Sequence, residues 1–219
     1  MSEEYEFEPV PGLPEQLPEN ETIVWQGAPE WRGIARRVFH AGAISAYFAL
    51  LAAWAFASVL YDGGSAAAAT GSALRVGVAC AITLLLIAWL ARATARATLY
   101  TITTKRVAMR FGIAVPMTVN LPFSRIAAAD MRPYGDGTGE IALQIEGPLP
   151  LAYWHLWPHC RPWRLAKAAP MLRCVSEPQK VADILAAAVA ATGKTRLKQA
   201  EAAAPHATTD AGTPGLVAA

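Results

Sequence analysis

The chain has 219 residues and a mean hydropathy of +0.27. Only 16% of its residues are charged, well below the roughly 25% usual for soluble domains, so an ordinary water-soluble domain is a poor description of it. The net charge of +2 hides an asymmetry: residues 1–30 carry eight acids and no Lys or Arg, and the other nine acids face all nineteen bases after them. The acidic arm can bind a basic partner, fold back on its own domain, or stay solvated, and the solvated tail is the plain reading.

Residues 1–20 are expected to be extended and mostly disordered, because Pro9, Pro11, Pro14 and Pro18 forbid a continuous helix. Residues 21–37 form a pre-membrane segment. Ile23, Val24 and Trp25 make a short apolar patch, and Trp25, Trp31, Arg36 and Arg37 suit a membrane–water interface. The run that follows, Val38 to Tyr61, lies between Arg37 and Asp62 and contains no charged residue, which is long enough to cross a hydrocarbon core of roughly 30 Å. A Gly-rich connection, Asp62 to Ser72, leads to a second run, Val76 to Ala91, extended by Ala73 and Leu74, with Arg75 able to snorkel. The expectation is a transmembrane hairpin over residues 38–97. Basic residues cluster at its outer ends, including Arg92 and Arg96, so both termini are expected in the cytoplasm. An acidic segment ahead of a late apolar run argues against a cleavable signal peptide.

After the hairpin the apolar period changes to two. Tyr100 and Ile102 share one face of a first strand, a turn falls near Lys105–Arg106, and Val107, Met109 and Phe111 lie on a second strand ended by Gly112. Strands are also expected within IAVPMTVNLPF, SRIAAADMRPY, EIALQIE, Leu149–Trp157 and Met171–Val175, with a turn at Gly135–Gly139. Six or seven short strands indicate a small antiparallel sandwich or barrel over residues 98–193. Ser176 and Gln179 form a capping-box pattern for a closing helix with Val181, Ile184, Leu185, Ala188 and Val189 on one face and Gly193 as its stop. Residues 194–219 read as a flexible tail. Cys80 lies in a span and Cys160 and Cys174 on the expected cytoplasmic side, so the thiols should stay reduced.

No pattern of catalytic residues emerges, and the enzyme reading is set aside. His155, His159 and Cys160 lack the spacing of a structural zinc site and read as ordinary strand or loop residues. Gly193-Lys194-Thr195 imitates a phosphate-binding loop without its upstream glycine. The eleven bases against four acids over Arg92–Arg173 fit attraction to an anionic leaflet, at about 1 kcal/mol per residue near the surface, rather than nucleic acid. The richest soluble stretch is Leu149–Arg173. There Tyr153, Trp154, Trp157, Arg161, Trp163 and Arg164 combine the residue types that dominate docking faces, although some of these Trp could equally fill the core. Small residues on the first span, among them Ala41, Gly42, Ser45 and Ala49, permit a homo-oligomer.

The Trp-Gln-Gly-Ala-Pro box before a hairpin, the strand pair YTITTKRVAMRFG, LPFSRI, GTGEIALQI and a capping helix resemble the bacterial pleckstrin-homology-like (PH-like) domain of membrane proteins. The opening YEFEPVPGLPEQLPENETIVWQGAPEW and the segment LPLAYWHLWPHCRPWRLAKAAPMLRC further resemble the photosynthetic complex assembly proteins of purple bacteria (the PuhB family). The resemblance implies a membrane α+β fold: a helical hairpin plus a PH-like β-sandwich or barrel capped by a C-terminal helix. It also implies an inner-membrane assembly factor for the reaction centre and light-harvesting complex, with no cofactor and no catalytic residues. Its expected partners are reaction-centre and light-harvesting subunits and membrane lipids. A PH-like scaffold or lipid sensor unrelated to photosynthesis is the competing class. His40 leaves open a third, pigment delivery, against simple hydrogen bonding at the headgroups.

Overall fold

In the computed structural model, which describes residues 13, 16–147, 152–162 and 168–203, a helical hairpin is inserted between the first two strands of a sheet. Strand β1 (Ile23–Gly27) comes first, then a single turn α1 (Trp31–Gly33) running into a π-helical turn over Ile34–Val38. His40, in the left-handed region at φ 52°, breaks that turn from the first long helix, α2 (Ala41–Tyr61). The second long helix is α3 (Ala66–Arg96). At 1.5 Å per residue α2 is about 31 Å long and α3 about 46 Å, so each is long and apolar enough to cross a membrane. Large apolar side chains such as Leu50, Trp54, Leu85 and Trp89 point outward from the pair.

The connection is shorter than the sequence suggests. Ala66 to Ser72, expected in the loop, are helical, because Ser65 caps them by accepting the Ala68 N–H at 3.2 Å and the alanines that follow are the best helix formers. The turn is left to Asp62–Ser65, with Gly63 at φ 78° supplying the left-handed residue.

Beyond α3 the period-two reading holds. Strands β2 (Leu99–Thr103), β3 (Arg106–Phe111) and β4 (Met117–Pro122) follow, and β1 pairs antiparallel with β2, giving a four-stranded sheet in the order β1-β2-β3-β4. A second antiparallel sheet holds β5 (Ile126–Pro133), β6 (Thr138–Ile145) and β7 (Met171–Ser176) in that order. The core lies between the sheets: Tyr100, Ile102, Met109 and Leu121 from the first meet Ile141, Leu143 and Leu172 from the second. On β6, Ile141 and Leu143 are fully buried in the core as the alternation predicts, but Ala142, expected on the outward face, is buried as well, and Gln144 is half-buried. The β5–β6 turn is set by Asp136, whose carboxylate accepts from the backbone N–H and the hydroxyl of Thr138.

Three expectations change. The stretch Leu149–Trp157 is not a strand where it is described: Tyr153–Leu156 is one helical turn, α4, and residues 149–151 fall outside the described residues. Its core residues, half-buried Tyr153 and fully buried Leu156, are three apart, the spacing of a helix and not of a strand. The closing helix α5 (Pro178–Ala203) begins later than a Ser176 cap implies, since Ser176 ends β7 and Glu177, at φ 51°, turns the chain with Pro178 in the first helical position. It also runs ten residues past Gly193, because one glycine costs a helix only about 1 kcal/mol among good helix formers. Val181, Leu185 and Ala188 of α5 are buried against the core, as expected.

Candidate functional site

Some of the residues singled out from the sequence, among them Arg37, Trp31 and Arg92, lie where the hairpin meets the sheets. The first seam joins the end of α3 to both sheets through one buried chain of hydrogen bonds. The backbone N–H of Arg173 donates to the Tyr100 hydroxyl at 3.2 Å, and that hydroxyl lies 2.7 Å from His159 Nδ1. His159 Nε2 lies 3.1 Å from Thr98 Oγ1, which donates to the Thr94 carbonyl at 2.7 Å. Because Thr98 spends its proton on Thr94, His159 must donate from Nε2 and accept the Tyr100 proton at Nδ1, so the neutral imidazole satisfies every link. Burial, with the Arg173 charge nearby, pushes the imidazole down to about 3, and burial raises the Tyr100 hydroxyl. Arg173 in turn holds Glu140 at 3.0 Å with both side chains buried, and Tyr134 donates to the other Glu140 oxygen at 2.8 Å.

The second seam ties the segment before α2 to the β5–β6 turn. Arg37, expected at the membrane interface, is largely buried. It donates to Thr138 Oγ1 at 2.8 Å and to Asp136, and its guanidinium stacks 3.7 Å over the Tyr134 ring. Asp136, held by Thr138 first and by Arg37, is lowered to about 2. Beside it α1 passes so close to β7 that a Cβ on Gly33 would meet Cys174 Cβ and Sγ at 2.8 Å, and the Glu30 N–H donates to the Cys174 carbonyl. Arg36 stays exposed, 3.8 Å from Asp136.

The remaining interface candidates fall around α3. Arg92 lies 3.6 Å over the Trp31 ring, and Arg96 is exposed one turn later. Trp25 packs against the first-sheet core from β1, so it is a strand residue as much as an interface one. The acidic arm folds back in part. Glu21 is buried, accepting from Arg106 Nε at 2.9 Å and from Thr103 Oγ1 at 2.7 Å, and Leu13 is buried too.

Of the docking candidates, Trp154 is 77% exposed, with Tyr153 edge-on to it and tucked against the core. Trp157 packs edge-to-face on Phe39, the residue two before α2, so part of the docking stretch stands at the root of the first long helix. Arg161 pairs with Asp130 of β5 at 3.0 Å. Trp163 and Arg164 lie outside the described residues. His40 is exposed beside α2. Sequence reasoning weighed His159 only as a metal ligand and set it aside as an ordinary strand or loop residue, whereas it links the end of α3 to Tyr100 through hydrogen bonds. A histidine followed by Cys160 in a Pro-flanked loop gives no periodic signal, and only the neighbouring buried hydroxyls reveal it.

Comparison with known proteins places this architecture. A family model described as "Bacterial PH domain" matches residues 39–189. The chain is also 38% identical over 189 residues to a Rhodobacter capsulatus protein described as "Uncharacterized 23.7 kDa protein in puhA 5'region", covering 86% of this chain and 88% of that one. No solved structure matches. Two sheets of four and three strands closed by a C-terminal helix, with the family match running from the root of α2 to the buried face of α5, make the chain a member of the bacterial PH domain family.

Proposed function

We propose that this protein is a non-enzymatic assembly factor of the photosynthetic inner membrane, anchored by α2 and α3 with both termini in the cytoplasm. In this reading it docks a reaction-centre or light-harvesting subunit while the complex forms, and then leaves. The observation that carries the reading is the Rhodobacter capsulatus relative, whose description places it in the 5' region of puhA and which aligns over most of both chains. The resemblance of the opening segment and of Leu149–Arg173 to the PuhB family points the same way. The geometry supports a docking role: the exposed indole of Trp154 stands on a turn whose neighbours Tyr153 and Leu156 are fixed in the core, a rigid aromatic anchor of the kind found at binding hot spots. No covalent chemistry and no cofactor enter this mechanism.

The test is purification of the tagged protein in mild detergent from membranes of its own organism, with mass spectrometry and an absorption spectrum of the eluate. Reaction-centre or light-harvesting subunits, enriched while complexes are being built, are the expected result. A pigment band without those subunits would move the assignment to pigment delivery through His40. An eluate with neither would reduce the protein to a membrane scaffold.

A further inference from the structure

Where the last turns of α3 meet the edge of the first sheet, a concavity of about 460 Å³ opens. Three guanidinium groups and an indole line it: Arg92 and Arg96 from α3, Arg110 from β3, and Trp31 from α1, over an apolar floor that includes Ala95 and Leu99. No carboxylate is among its lining residues. Arg92 and Arg96, four apart, share one face of α3, and neither has an ion-pair partner among the described residues. Arg92 is held in place by its stack on Trp31. The unpaired charges of Arg92 and Arg96, side by side in a concave, partly apolar site, call for an anion with an apolar neighbour.

Height along α3 narrows the anion. The helix is free of charge from Val76 to Ala91, so Arg92 is the first residue past the apolar run, and Arg96 stands about 6 Å further on. A headgroup layer is roughly 5–8 Å deep on each side of the hydrocarbon, so both guanidinium groups fall at the level of lipid phosphates. Indole favours that depth, and the guanidinium fork matches two phosphate oxygens.

We propose that this concavity is a seat for the phosphate of an anionic phospholipid headgroup. The proposal rests on the membrane placement of the hairpin given above, and not on the assembly role. Arg92 and Arg96 grip the phosphate, and Trp31, stacked on Arg92, shields it from water. A lipid held there fixes the depth and tilt of the sheet domain relative to the bilayer, because the same α3 turns carry Thr94 and Thr98 into the buried chain with His159.

The test uses the full chain in mild detergent, stripped of lipid, with native mass spectrometry after addition of phosphatidylglycerol, phosphatidylcholine or inorganic phosphate. The expected result is one retained phosphatidylglycerol, bound at least tenfold more tightly than phosphatidylcholine. Arg96→Gln should weaken it about fivefold and Arg92→Gln with Arg96→Gln about 30-fold, while Arg132→Gln on β5 leaves it within twofold. Should the double variant fail to fold, the single Arg96→Gln decides, since that side chain is exposed and supports no packing. Equal retention of both lipids, or equal loss in Arg132→Gln, would overturn the seat. Saturation by inorganic phosphate with no lipid retained would make it a site for a soluble anion. Subunit recovery does not enter this readout, so the lipid seat and the assembly reading can fail separately.

Discussion

His159→Leu tests the junction most directly. The substitution keeps a side chain of similar bulk but takes the acceptor away from the Tyr100 hydroxyl, which then remains a buried donor without a partner while still accepting the Arg173 N–H. Thr98 keeps its bond to Thr94 and loses only an acceptor contact. An unsatisfied buried donor costs about 1–3 kcal/mol and each lost bond about 1 kcal/mol, so the loss at neutral pH is about 3 kcal/mol. For a chain of this size that corresponds to roughly 6–12 °C in Tm, read from tryptophan fluorescence during heating of the detergent-solubilised protein. The pH dependence is the sharper half of the prediction. His159 is pushed from 6.5 down to about 3 in the folded protein, so folding excludes a proton that the unfolded chain binds. Its contribution is full above the unfolded value of 6.5 and is lost as pH falls from there toward 3, at about 1.4 kcal/mol per pH unit. By pH 5 the wild type should have lost about 2 kcal/mol through this one residue, and His159→Leu none of it, so the two melting curves should converge on acidification. Parallel curves between pH 7 and pH 5, or a Tm within 2 °C of wild type at pH 7, would refute the buried neutral imidazole.

Other perturbations probe the remaining contacts. Gly33→Ala places a methyl 2.8 Å from Cys174 and should push α1 off β7 at a cost of about 1–3 kcal/mol, visible in the same melt. Glu21→Ala takes the acceptor from Arg106 Nε and leaves the Thr103 hydroxyl only the Arg106 carbonyl, 3.1 Å away, and should lower stability by about 1–2 kcal/mol in the same melt. Asp136 is held at about 2 by Thr138 and Arg37, so its contribution stands above its unfolded value and is lost only as pH falls toward 2; Asp136→Asn should abolish that acid-side slope and leave the slope between pH 5 and 7 unchanged. Trp154→Ala should leave Tm within about 2 °C, since the ring is mostly exposed, yet reduce recovery of photosynthetic subunits with the tagged protein. Unchanged recovery would remove Trp154 from the docking face.

The elements read well wherever one face alone decides burial. The two apolar runs and the buried stripe of α5 carry a periodicity that packing then honours, and in β2, β3 and β6 the alternating apolar residues line the core although their other faces are covered too. Strand β1 was different. Ile23 and Val24 are 37% and 46% exposed, so the patch shows no clean alternation, and the strand that completes it begins only after the hairpin, at Leu99. Arg36 and Arg37 look alike beside an apolar run, yet only Arg37 turns inward, because the Asp136 carboxylate and the Tyr134 ring wait on a turn about a hundred residues away. Local composition placed Trp154 and Trp157 in one aromatic stretch. Their division into an exposed indole and one packed on Phe39 depends on the turn of α4, whose three-residue spacing is too short to register as a helix in the sequence.

Strand β1 is synthesised long before its partner: Gly27 must wait for Tyr100, which pairs with it across the whole hairpin. At roughly 5–20 residues per second, the ribosome takes about 4–15 s to make the intervening segment. During that interval both long apolar helices emerge, and the first sheet can acquire its β1 edge only when the two ends of the hairpin return to the same side. A chain with one helix left outside the bilayer would hold Gly27 and Tyr100 on opposite faces of the membrane and could not complete the sheet. In the membrane-anchored reading proposed above, the β1 edge closes only when both ends of the hairpin lie on the same side of the bilayer, so a protease-resistant β1 excludes a topology with a single helix inserted.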